Sequence, residues 1–116
     1  MKNRISFIAA AVLSFLFIAA APTIPPLKAR VNDYANLLPA ERARALEQRL
    51  EQFENQTGHQ IAVLTVPTLD GEDIEGFGIR VAESWKLGKK GADNGAVLVI
   101  AQKDRKLRIE VGYGLE

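Results

Sequence analysis

Hydrophobic and polar positions change their period repeatedly along this chain, and each change marks an element. Apolar residues recur at Ala43, Leu46, Leu50 and Phe53, with Arg, Glu and Gln between them, which is the spacing of one helical face. The pattern predicts a helix from about Pro39 to Thr57. Pro39 suits a first helical position, Glu41 complements the helix dipole and Gly58 is a natural stop. Ile61 to Val66 is apolar at nearly every residue and closed by Pro67, as expected of a strand covered on both faces. Ile74, Phe77, Val81 and Trp85 return to helical spacing, so a second helix follows, with Trp85 in the core. Gly76 and Gly78 inside it read as close approach to the sheet, since no strand with a Gly-rich turn precedes them to cradle a phosphate.

Gly95 to Gln102 is a second continuous apolar strand, and Leu107, Ile109, Val111 and Tyr113 then alternate with Arg108, Glu110 and Gly112. Alternation predicts a third strand with one wet face, antiparallel after a turn at 103–106. Helix, strand, helix, strand, strand makes this an α/β chain: a mixed sheet with a parallel βαβ unit and an antiparallel hairpin strand. Ahead of it, residues 22–30 hold three of the five prolines and read as an extended lead-in. Val31 to Leu38 reads as an ordered loop laid on the domain.

The first 21 residues follow a different rule. Lys2 and Arg4 precede an apolar run from Ile5 to Ala21 that ends in three alanines, the pattern of a secretory signal peptide. A retained membrane anchor is the alternative, because the run is near the shortest length that spans a bilayer. Export places the protein in the periplasm, at the cell surface or outside the cell. The chain has no cysteine, so it folds there without disulfides. Fifteen basic residues stand against fourteen acidic ones, and a basic face for nucleic acid is not indicated.

Topology gathers the candidate chemistry. In a parallel unit the strand C-termini share one edge, where ligands of open α/β sheets usually bind. Asp70, Glu72 and Asp73 follow the first strand and Asp104 the second, while Asp33 and Asn36 return to the same edge at the start of the first helix. Oxygen ligands of this kind suit Ca²⁺ or Mg²⁺, so Asp33, Asp70 and Asp104 are the candidate metal ligands and Ca²⁺ the candidate cofactor. The bland reading gives Glu72, Asp73 and Glu75 to the helix dipole and Asp104 to a turn. Arg105 is a candidate phosphate holder beside them. At the opposite edge, Asp93 and Asn94 are candidate binding residues, although Asn94-Gly95 also suits a backbone turn. His59 is the only histidine, and neither a Ser-His-Asp constellation nor a P-loop is present, so no catalytic residue is assigned.

Several segments together resemble the TPM domain family: Arg30-Val31-x-Asp33-x-Ala35-x-Leu37-Leu38, Thr57-Gly58-x-Gln60-Ile61-Ala62-Val63, Trp85-x-Leu87-Gly88, Asn94-Gly95 and Arg108-Ile109-Glu110-x-Gly112-Tyr113-Gly114-Leu115-Glu116. That family includes thylakoid-lumen proteins similar to acid phosphatases and linked to photosystem II repair, and many exported or membrane-tethered bacterial proteins. The resemblance implies a three-layer α/β/α sandwich over residues 31–116 and, for some members, calcium binding and phosphatase activity. It carries Asp33, Asn94 and Asp104 over as site candidates. It also implies that the family domain continues past Glu116 into further helices, so that this stretch is the N-terminal part of the domain and one sheet face is left exposed. Where the family often has a helix cap, this sequence has Leu38, which weakens the helix start.

Two functions follow as expectations. One is an exported module that binds a divalent cation and a membrane-protein or envelope partner, in the upkeep of membrane or envelope complexes, with a membrane tether through an uncleaved signal or a further C-terminal segment. The other is a metal-assisted phosphatase acting on phosphomonoesters, in which the cation activates water and a carboxylate serves as general base.

Overall fold

The computed structural model describes residues 23–87 and 94–112. Its elements run β1 (Val31–Asp33), α1 (Ala40–Thr57), β2 (Gln60–Val66), α2 (Ile74–Trp85), β3 (Gly95–Ala101) and β4 (Lys106–Val111). The four strands lie side by side in chain order. β1 pairs parallel with β2, β2 parallel with β3, and β3 antiparallel with β4. The expected α/β class, parallel unit and hairpin strand are all present.

β1 corrects the reading of Val31 to Leu38 as a loop. Val31, Asn32 and Asp33 face Val63, Leu64 and Thr65 across a parallel ladder. Three residues are too few to show a period. The middle one is also polar and 4% exposed, which hides the strand from a hydrophobicity pattern. Asn32 is tolerated there because its amide is fully used. Its Nδ2 donates to the carbonyls of Ala29 and Val63, and its Oδ1 accepts from the amides of Lys28 and Ala29. The lead-in before it is extended as expected and is pinned at further points. The Trp85 indole donates to the Pro25 carbonyl at 2.8 Å and the Tyr34 hydroxyl to Pro26 at 2.7 Å.

α1 begins one residue later than the sequence suggests, with Pro39 at the N-cap and no side-chain cap there; it ends where expected, on Gly58 at φ 77°. α2 is capped by Asp73, whose carboxylate accepts from the Gly76 amide at 2.7 Å. Its apolar stripe, Ile74, Phe77, Val81 and Trp85, is buried. The core lies between that stripe and one face of the sheet: Ala62, Leu64 and Val66 of β2 and Val97, Val99 and Ala101 of β3. Gly78 is buried where α2 crosses β4, and a Cβ there would sit 3.4 Å from the Arg108 Cδ. That is an ordinary contact with a flexible side chain, so the close approach expected at Gly78 does not by itself require glycine.

The opposite face carries Val63, Thr65, Leu98 and Ile100 with Leu107, Ile109 and Val111, which the strand registers place in rows. α1 packs on β1 and β2, and Val63 and Thr65 are buried. Over β3 and β4 that cover is missing among the described residues. Leu107 is 66% exposed, Ile109 60% and Val111 36%.

The wet face predicted for the last strand is therefore the apolar one. Arg108 and Glu110 lie on the α2 side, half-buried and paired to each other at 2.9 Å. Alternation separates two faces, but it is the position of α2 that decides which of them is covered.

Candidate functional site

Because β1, β2 and β3 are parallel, their C-terminal ends share one edge, and the acidic segments do converge there. The loop after β2 and the β3–β4 turn are zipped together. Gln102 and Lys103 donate their amides to the carbonyls of Val66 and Pro67, both at 3.0 Å. Asp104 accepts from the Leu69 amide, also at 3.0 Å. Leu69 is wholly buried, so this bond fixes the loop at its apolar anchor.

Asp33 is one strand away and does similar work for the turn that leads into α1. Its carboxylate accepts from the amides of Leu37 and Leu38 at 2.9 and 2.8 Å and from the Thr65 hydroxyl at 2.5 Å. These bonds order the link just ahead of α1, whose own start carries no side-chain cap. Burial by itself would raise the Asp33 pKa, but the Thr65 hydroxyl and the two amides outweigh it and hold the carboxyl below its ordinary value. Thr65 also accepts from the Ala35 amide at 3.0 Å, which makes it the joint of this corner. It sits in an apolar run and carries no sequence signal of that role.

Glu72 and Asp73 have local partners. Glu72 pairs with Arg80 at 2.5 Å, and Asp73 caps α2. Asp70 is exposed at φ 50° in the loop, its amide bonded to the Thr68 hydroxyl. Arg105, at φ 55°, closes the β3–β4 turn through its amide to the Gln102 carbonyl at 3.2 Å. Asp33, Asp70 and Asp104 thus reach one edge, but no group of three or more acidic, histidine or cysteine side chains able to hold a metal ion occurs among the described residues. A calcium ion takes six to eight oxygens; at Asp33 it would compete with three donors already in place. An ion at this edge would have to displace those donors from Asp33.

The opposite edge contains a cleft of about 460 Å³, bordered by Arg30, Glu54, Ile61, Ala62, Trp85 and Lys86. Arg30 is held in it by Glu54 through Nε and Nη2 at 3.3 and 3.4 Å. Glu47 accepts from the Arg30 and Val31 amides. Asn94 lies at this edge, donating its Nδ2 to the Gly58 carbonyl at 2.8 Å and accepting the Gln60 amide on its own carbonyl. Those bonds fasten the end of α1 to the start of β3, which is a scaffold role. Asp93 lies outside the described residues. His59 is half-buried against Phe53, with ring centroids 6.4 Å apart and its Nδ1 unpartnered.

Comparison with known proteins matches this architecture. A family model described as TPM domain covers residues 31–116. The solution structure of the N-terminal domain of a Porphyromonas gingivalis protein superposes with a TM-score of 0.70 at 32% identity, over 75% of this chain and 55% of that one. An N-terminal domain from Corynebacterium glutamicum gives 0.63 at 16% identity, over 84% of this chain and 62% of that one, and shows the fold alone. The chain thus spans little more than half the length of these neighbours. No curated protein matches.

Proposed function

From the premise that the chain belongs to the TPM domain family, we propose that it is an exported protein-binding module acting in the upkeep of membrane or envelope complexes. The supporting observation is the β3–β4 half of the sheet. Leu98, Ile100, Leu107, Ile109 and Val111 form rows without a charged residue, open at the β4 end. A contiguous apolar surface of this kind calls for a cover, which is either another protein or further helices of the same domain. Its shape, two strands wide, suits the apolar stripe of an amphipathic helix, as α2 fits the reverse side. The test is a photo-crosslinking residue at Leu107 in the native cell envelope, compared with one at the exposed Arg49 of α1. The docking reading expects a discrete adduct with a second protein from position 107 alone. Equal adducts from both positions, or attachment only within the same chain, would sink it.

Divalent-cation binding is the second reading, and its support is the convergence of Asp33, Asp70 and Asp104 on one sheet edge. Calcium titration followed by backbone amide shifts tests it; unmoved resonances at these three residues in millimolar calcium remove it. The phosphatase reading leans on the family alone. Phosphomonoester hydrolysis that chelator and Asp104→Ala abolish would support it, and hydrolysis indifferent to both would not.

A further inference from the structure

The two edges of the sheet are finished differently. At the β1 edge, the strand is only three residues long, and its outward Val31 amide is covered by the Glu47 carboxylate at 3.1 Å. Short, covered edges of this kind do not recruit another strand. β4 is six residues long and is the last strand on the other side among the described residues.

The phase of the β3–β4 ladder shows which groups β4 leaves free. Gly112 donates to the directly opposite Gly95 carbonyl at 2.9 Å, and Ala96 faces Val111 in the next row. Hydrogen-bonded and non-bonded rows alternate in an antiparallel pair. Lys106, Arg108 and Glu110 therefore bond to β3, while the N–H and C=O groups of Leu107, Ile109 and Val111 point out of the sheet.

This free edge is complementary to itself. An antiparallel copy placed on a two-fold axis through Ile109 opposes Ile109 to its own equivalent, Leu107 to the second copy's Val111, and Arg108 to the second copy's Glu110. Each of the apolar rows is one whose backbone groups point outward, so each can exchange both hydrogen bonds. On the α2 side, opposite charges face each other; on the open side, β-branched and leucine side chains do. Shifting the axis to Leu107 would oppose Lys106 to Arg108, like to like. The sequence Leu107-Arg108-Ile109-Glu110-Val111 thus favours one register.

We propose that β4 is a homotypic pairing edge, at which two copies of this chain join into one continuous sheet across Ile109. The pairing covers part of the exposed Leu107, Ile109 and Val111 side chains without burying an unpaired charge. It does not depend on the docking reading above, because it uses the strand edge and leaves Leu98 and Ile100 on the face untouched.

Sedimentation of the full chain across a concentration series tests it, with circular dichroism to confirm folding. The wild type should show a concentration-dependent monomer–dimer equilibrium. Ile109→Pro removes an N–H that β3 does not use and is tolerable on an edge strand; it should leave a folded monomer. Glu110→Arg sets like charges opposite each other and should weaken association about tenfold. Adding Arg108→Glu to it restores complementarity and should recover the dimer. Under mild oxidation Ile109→Cys should give a cross-linked dimer, and Ile79→Cys, on exposed α2, should not. A chain that stays monomeric, a dimer indifferent to Ile109→Pro, or equal cross-linking at both cysteines overturns the proposal.

Discussion

The two sides of β3 and β4 present opposite solutions to the same alternating sequence. On the α2 side, Val97, Val99 and Ala101 are fully buried beneath Phe77, Val81 and Trp85, and the polar residues of β4 lie under the helix as a matched pair. On the other side, the apolar residues of β4 meet solvent. Burying polar side chains while apolar ones stay exposed is unfavourable for β4 in isolation. The contrast shows on which side of the sheet the stabilising burial of the described residues resides.

Mutations can break or sharpen that contrast. Phe77→Ala, on the closed side, should cost the most, about 3–5 kcal/mol by urea denaturation, because it opens a cavity beneath α2. Asn32→Ala should follow at about 2 kcal/mol, since it strands the amides of Lys28 and Ala29. A cost below that of an ordinary surface change would show that the lead-in is not tied to the sheet through this side chain.

Asp33→Asn should cost about 1 kcal/mol at neutral pH through weakened hydrogen bonds from the Leu37 and Leu38 amides and the Thr65 hydroxyl, and its pH dependence is more informative than its size. The folded carboxyl is held below its ordinary value. Its contribution is therefore complete above the unfolded pKa of about 4 and is lost as pH falls through the folded value. Stability of the variant should fall less steeply over that acidic range than stability of the wild type; parallel curves would contradict the assignment. Leu107→Ser, on the open side, should change stability by less than about 0.5 kcal/mol. A loss comparable with that of Phe77→Ala would mean that the face is already covered.

Much of the fold was legible because it rests on local rules with many residues behind them. The α1 stop at Gly58, the buried stripe of α2, the doubly covered β2 and the hairpin all follow from period and turn chemistry. β1 was not legible: three residues with a polar centre carry no period, and only pairing with Val63 to Thr65 makes them a strand. At the candidate edge the sequence named the acidic residues but not their tasks. Asp33 turned out to brace the turn between β1 and α1, and Asp104 to hold the Leu69 amide. Thr65, which joins that corner, is indistinguishable in sequence from any other β-branched strand residue.

What the chain determined by itself is the succession of elements and the division of each into two sides, because backbone geometry fixes the periods of helix and strand. Which side of β4 is dry, which carboxylates are free and which strand edge stays open were decided only when α2 settled on one face and Glu47 covered the β1 edge. Those outcomes depend on contacts between residues far apart in sequence, and a one-dimensional pattern does not contain them.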